Sequence, residues 1–366
     1  MEPWQGGGPA LARAQLTIDL AAIADNWRAL DALSGPGVET AAVVKADAYG
    51  LGAAAVGPAL RAAGARTFFV ALAEEGAALR DALGPGPAIY ILSGLMPGDA
   101  GPMRAHDLRP CLNSVAQIQD FMRAFPGHRH AVQLDSGMHR LGLAPDELGA
   151  AAGVAPDLVL SHLACADMPA HPQNAAQREA FLARAARLPA ARRSLAATGG
   201  ILLGAPFHFD LTRAGIGLYG GLPFAGARPV VTLALPVIQV RDVPVGGAVG
   251  YGAAWIAERP SRVATLSGGY ADGLMRALAG GGASLWAGDR PCPLIGRVSM
   301  DLIAADVTDL PAVPDRLDIL GPTQTVDDLA RAAGTIGYEI LTSLGARYDR
   351  VYKGAAPEAD GAPDPA

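Results

Sequence analysis

Short apolar runs punctuate the first two thirds of the chain, at 41–44, 67–71, 88–92, 109–112, 131–134, 158–162, 194–197 and 209–211, and Ala/Leu/Arg-rich stretches with helical spacing lie between them. Strands that alternate with helices pair in parallel through right-handed crossovers. Eight of them before residue 220 predict a closed (β/α)8 barrel, with an open doubly wound sheet as the alternative. After about Leu222 the helical pattern fades, and short apolar runs at 230–235, 264–266 and 302–307, divided by Gly and Pro, predict a mostly β domain. The expected organisation is a flexible N-terminus at 1–14, a barrel at 15–225, a C-terminal β domain at 226–354 and a flexible tail at 355–366, because both ends are too rich in Gly, Pro and Ala to bury much. No internal repeat or coiled-coil heptad is visible.

Composition agrees with two folded domains. A chain of 366 residues exceeds one hydrophobic core, and 51% hydrophobic against 17% charged residues leaves ample apolar surface to bury. The net charge of −6 lacks the basic field that nucleic acid or an anionic membrane requires, so neither is expected as a partner. Three widely spaced cysteines, Cys111, Cys165 and Cys292, fit a reducing compartment and form neither a disulfide framework nor a paired-cysteine zinc site; no metal is expected. The start at Met1 carries no cationic, apolar leader, and runs such as 201–203 are far too short to span a bilayer. A cytoplasmic location is expected.

The chemistry begins at residues 42–52, AVVKADAYGLG, where a β-branched run ends in Lys45 and a glycine-rich turn. At the C-terminal end of a barrel strand a desolvated lysine loses its proton readily enough to form a Schiff base. Pattern alone favours a plainer role, a lysine capping a strand beside a surface loop. The segment, however, closely resembles the cofactor-lysine motif of the alanine racemase family, and the resemblance continues in order from 17–20 (TIDL) to 350–352 (RVY). It implies a pyridoxal 5'-phosphate enzyme, with the aldehyde on Lys45 and Tyr49 on the phosphate. In 134–142, LDSGMHRLG, Arg140 takes the position of the arginine that contacts the ring hydroxyl and the substrate carboxylate, and in 161–167, SHLACAD, His162 that of the histidine against the ring. Thr198 stands in place of the phosphate-binding serine. In 210–220, DLTRAGIGLYG, Arg213 matches the arginine on the pyridine nitrogen, and Gly215 and Ile216 match the backbone amides on the phosphate. An arginine there leaves the ring nitrogen neutral, whereas a carboxylate would make the ring a strong electron sink.

Two segments of the second half complete the resemblance: 267–273, SGGYADG, with Tyr270 as the second catalytic group, and 296–301, GRVSMD, with the backbone N–H of Met300 on the substrate carboxylate. Inverting a carbon needs acid–base groups on both faces, and Lys45 and Tyr270 are the implied pair. The implied activity is interconversion of L- and D-alanine, supplying D-alanine for peptidoglycan, by a head-to-tail homodimer with composite sites. Three positions depart from the family pattern. Gln133 stands where many members carry a carbamylated lysine beside the arginine, Ala346 where some place a phosphate-contacting tyrosine, and Ala197 where an asparagine adjoins the phosphate hydroxyl. Gln133 supplies no negative charge, so Arg140 would be oriented by a neutral partner or a bound anion. The rival readings are a broad-specificity amino-acid racemase, a decarboxylase or D-threonine aldolase on the same fold, and a non-catalytic pyridoxal phosphate-binding barrel. Arg213 argues against the decarboxylase, the lack of a His-rich cluster against the aldolase, and the second domain against the non-catalytic barrel.

Overall fold

The computed structural model describes residues 13–354, and the flexible ends expected at 1–14 and 355–366 lie outside them except for Arg13 and Ala14. The chain divides into two compact units: Ala21–Arg228, and the described residues up to Leu20 together with Pro229–Gly354.

The first strand, β1 (Gln15–Asp19), does not join the barrel expected at 15–225. It runs antiparallel to β10 and parallel to the last strand, β18, so the β unit is assembled from both ends of the chain. Its alternating burial and its following helix, Leu20–Ser34, mimic the opening of a barrel, and a local pattern does not reveal which sheet a strand enters.

The barrel consists of β2 (Glu39–Val43), β3 (Thr67–Val70), β4 (Ala88–Ile91), β5 (Leu108–Leu112), β6 (Ala131–Gln133), β7 (Leu158–Leu160), β8 (Arg192–Ser194) and β9 (Leu211–Ala214). They form one parallel sheet in the order β8-β7-β6-β5-β4-β3-β2-β9, and a bridge from Ala197 to Arg213, with Arg213 N–H donating to Ala196 O at 2.9 Å, brings its two ends together. Strands covered on both faces are buried along their whole length, as β3, β5 and β9 are. At the N-terminal end the interior is closed by polar groups. Arg109 pairs with Asp157 at 2.9 Å, the Tyr90 hydroxyl donates to the same carboxylate oxygen at 2.8 Å, and Arg192 pairs with Glu39. That end holds the barrel together; the opposite end is the one barrels use for chemistry.

The β unit continues with β10 (Val231–Val243), a two-stranded ribbon β11 (Ala248–Val249) and β12 (Trp255–Ile256), then β13 (Ser261–Ser267), β14 (Ser284–Ala287), β15 (Arg290–Ile295), β16 (Leu302–Asp306), β17 (Arg316–Leu320) and β18 (Asp349–Lys353). The sheet order is β13-β16-β15-β14-β17-β10-β1-β18, and β10, with a register shift between Val237 and Gln239, pairs again with β13 and closes a ring. Two helices, Val326–Ala333 and Gly337–Ser343, precede β18. Among the described residues no helix is long and apolar enough to cross a membrane.

Candidate active site

Lys45 lies two residues beyond β2, at the C-terminal end of the barrel. The four residues after it, Ala46, Asp47, Ala48 and Tyr49, have φ between 52° and 57°, a left-handed turn made without glycine. Each such residue costs roughly 1–2 kcal/mol, so the surroundings must hold the turn. Ala48 N–H donates to Val44 O at 2.9 Å, Ala53 N–H to Asp47 Oδ1 at 2.7 Å, and Ala46 N–H to Glu75 Oε1 at 2.8 Å. Tyr49 is buried and stacks on Tyr219 at 4.5 Å, while Tyr219 donates its hydroxyl to Val43 O at 2.9 Å. Burial lowers the Lys45 pKa, Arg140 lowers it further, and Glu75 opposes both. The amine is therefore more readily deprotonated than an ordinary lysine.

Arg213, on β9, is fully enclosed, and burial brings its pKa down to about 10, which leaves it charged at neutral pH. Its guanidinium donates to Ser194 Oγ, to Ser161 O at 2.6 Å and to His162 Nδ1 at 3.3 Å. An arginine only donates, so Nδ1 of His162 is the acceptor and the proton of the neutral ring sits on Nε2. Burial, then Arg213, Arg140 and Lys45, hold the His162 pKa down at about 3. The positive charge of this pair thus resides on Arg213.

Thr198 is buried just beyond β8, and its Oγ1 accepts N–H bonds from Gly215 at 3.0 Å and Gly217 at 3.3 Å. A Cβ at Gly215 would come within 2.7 Å of Tyr49 Oη, so the absence of a side chain lets these groups converge. Two hydroxyls and the backbone of Gly215 and Ile216, gathered at the ends of β2, β8 and β9, have the donor chemistry that a phosphate needs. Ala197, before Thr198, contributes no side-chain cap.

Arg140 is exposed in the loop after β6, where Asp135 Oδ1 accepts the N–H groups of Gly137, Met138 and His139 at 2.8, 3.1 and 3.1 Å. Gln133 is buried at the end of β6, and among the described residues no hydrogen bond joins it to Arg140.

Tyr270 and Met300 belong to the β unit and are both exposed. Their loops are laced together: Tyr270 N–H donates to Ser299 O at 3.0 Å, Ala271 N–H to Met300 O at 3.0 Å, and Gly268 N–H to Asp301 O at 2.8 Å. Arg347 clamps the same two loops. Its Nη2 and Nε reach both oxygens of buried Asp272, the former at 2.7 Å, and its Nη1 reaches Asp301 at 2.7 Å. Ala346 precedes this arginine, and a cavity of about 410 Å³ lies beside the clamp, lined in part by Ser267, Asp272, Asp301 and Arg347. Sequence reasoning did not single out Arg347, Asp272 or Glu75. Asp272 lies inside a quoted motif, but its partner stands 75 residues away.

The structure thus gathers Lys45, Tyr49, Arg140, His162, Thr198, Arg213, Gly215 and Ile216 at the C-terminal end of one barrel, and places Tyr270 and Met300 together on the other unit. Fold and site define a two-unit barrel enzyme that carries a partly buried lysine of lowered pKa at the C-terminal end of its barrel. Two family models match it, alanine racemase N-terminal domain over residues 18–223 and alanine racemase C-terminal domain over 230–352. An alanine racemase of Cereibacter sphaeroides is 60% identical over 348 residues, covering 93% of this chain and 99% of the relative. Among solved structures, the alanine racemase of Bartonella henselae with covalently bound pyridoxal phosphate is 38% identical with a TM-score of 0.86, covering 93% of this chain and 99% of that one. The biosynthetic alanine racemase of Pseudomonas aeruginosa is 39% identical with a TM-score of 0.86, covering 94% and 100%. The chain belongs to the alanine racemase family.

Proposed function

We propose that the protein interconverts L- and D-alanine with pyridoxal phosphate as its cofactor. The observation that carries this reading is Lys45, an amine of lowered pKa beside a strained turn at the C-terminal end of a barrel where Thr198, Gly215 and Tyr49 also meet. The relatives' names support alanine as substrate, and the Bartonella henselae structure, described with covalently bound pyridoxal phosphate, supports the cofactor. Bound here, the cofactor would supply an aldehyde for amines and a conjugated ring that renders Cα–H acidic. Lys45 would hold it through that aldehyde, with Tyr49, Thr198, Gly215 and Ile216 on its phosphate. Arg213 can only donate, so a ring nitrogen set against it stays unprotonated, and proton transfer at Cα falls to protein side chains. Inversion requires a group on each face. Once the substrate amine has displaced it from the aldehyde, the free Lys45 amine would take or return the proton on one face, and Tyr270 would take it as phenolate or return it as hydroxyl on the other. Arg140 and the Met300 N–H hold the substrate carboxylate, which keeps Cα–H from turning away from either base.

The reading includes the head-to-tail homodimer that the family resemblance implies, in which each β unit, with Tyr270 and Met300, completes the partner's barrel. It also includes a cytoplasmic enzyme that supplies D-alanine for peptidoglycan. Solvent deuterium incorporation at Cα, measured across a panel of amino acids, tests it. Alanine should exchange at least about 10-fold faster than analogues one or more methylenes larger, the discrimination a close-fitting apolar pocket affords. Comparable rates for larger amino acids would make the enzyme a broad-specificity racemase, and no exchange from any amino acid by the cofactor-loaded protein would leave a binding barrel.

A further inference from the structure

The helix Ala73–Leu83 follows β3, and the chemistry above uses none of its residues. Its Glu75 has both carboxylate oxygens engaged. Oε2 accepts the N–H of Ala71 at 2.7 Å and of Leu72 at 3.3 Å, and Oε1 accepts the N–H of Ala46 at 2.8 Å. The bond to Leu72 alone would be ordinary capping of a helix start. Capping does not account for the other oxygen, which reaches 29 residues back to the residue directly after Lys45. The helix is also a firm base for such a tie. At Gly76, the next residue, an added Cβ would meet Ile91 Cδ1 at 2.7 Å and Leu108 Cδ1 at 3.1 Å, so the helix backbone lies flush against β4 and β5.

We propose that Glu75 is a positioning residue for Lys45: its carboxylate fastens the left-handed turn to the C-terminal end of β3 and so fixes where the amine is carried. The proposal rests on the reading of Lys45 as the cofactor lysine. A carboxylate bonded to backbone N–H groups is a strong tie, and four left-handed residues in a row need one from outside their own segment. Glu75 is also the carboxylate that opposes the cationic influence on Lys45. Arg140 from the loop after β6 acts on Lys45 in the opposite sense, Arg213 on β9 stays positive, and His162 is neutral. Removing the carboxylate therefore lowers the pH at which Lys45 gives up its proton.

The test uses the full-length chain as wild type, Glu75→Gln and Glu75→Asp. Lys45 is titrated by competitive amine labelling and peptide mass spectrometry before loading, and capture of pyridoxal phosphate is followed by visible absorbance. Glu75→Gln keeps the shape but loses the charge and one acceptor. It should move the Lys45 titration to lower pH and slow capture at least about fivefold. Glu75→Asp keeps the charge but is one methylene too short to span both partners, so it should slow capture similarly while leaving the titration near wild type. Capture within about twofold of wild type in both variants would reduce Glu75 to a helix cap and overturn the proposal. If wild-type protein captures no cofactor on Lys45, the parent reading fails by itself. Glu75 is then judged on the titration, and an unmoved Lys45 in Glu75→Gln overturns its role.

Discussion

Burial keeps His162 neutral where an exposed imidazole would titrate, and the sign of its effect on stability follows. Its folded pKa, about 3, lies below the unfolded value near 6.5, so it contributes stability that is fully present above pH 6.5 and is lost as pH falls toward 3. Replacing it by Gln should therefore flatten the acid limb of stability across that window, read as the urea midpoint against pH; an unchanged slope would mean that His162 takes up its proton in the folded state. Tyr270 carries a different kind of prediction. Phenylalanine keeps the ring and deletes the one acid–base atom it offers, so Tyr270→Phe should impair Cα exchange from L-alanine more than from D-alanine, by about 100-fold if general acid–base catalysis on that face is lost. Wash-in of deuterium from each enantiomer separately would decide it. Equal residual exchange from both would mean that one base, or water, serves both faces.

At the scale of elements, the β unit's contribution depends on loops that no strand ladder holds by itself. Arg347 ties the loop of Tyr270 to that of Met300 through Asp272 and Asp301, so Arg347→Ala should lower kcat/KM by about 10- to 100-fold while the cofactor absorbance, which reports the barrel, stays as in wild type. Arg347→Lys should recover little, because a single ammonium cannot bracket two carboxylates as a planar fork does. A fully active Arg347→Ala would show that the loops hold themselves. Neither this clamp nor Glu75 is legible in the sequence, since each acts across 29 to 75 residues of chain and neither partner marks the other. The strands were far more legible, because the interior of a parallel barrel demands unbroken apolar runs and those runs are what the eye finds. The misses have physical causes. The run expected at 209–211 is observed as Leu211–Ala214, since Phe209 is left-handed (φ 51°) and the strand buries a charged Arg213 that interrupts the pattern. β10 runs to Val243, well beyond the expected 235, because Gln239, Arg241 and Asp242 face solvent and carry no apolar signal. Lys45 itself would have read as a strand cap; only its resemblance to a family motif singled it out.

For the molecule as a whole, the proposed dimer makes each active site depend on two chains. Lys45→Ala and Tyr270→Phe variants, each inactive alone, should regain partial activity when mixed and reassociated, approaching half of the sites in each heterodimer. Heterodimers that form but stay inactive would place both residues in one chain's site. A further consequence follows from β1, which pairs through Ile18 with Val231 on one side and Tyr352 on the other. On the ribosome this strand emerges more than 330 residues ahead of its second partner, an interval of roughly 20–60 s at ordinary elongation rates. Until β10 emerges both edges of β1 are bare, and from then until β18 arrives the edge that β18 will cover stays open. β18 is thus the strand that retires an aggregation-prone edge of β1, and a translational pause between β10 and β18 would prolong that exposure.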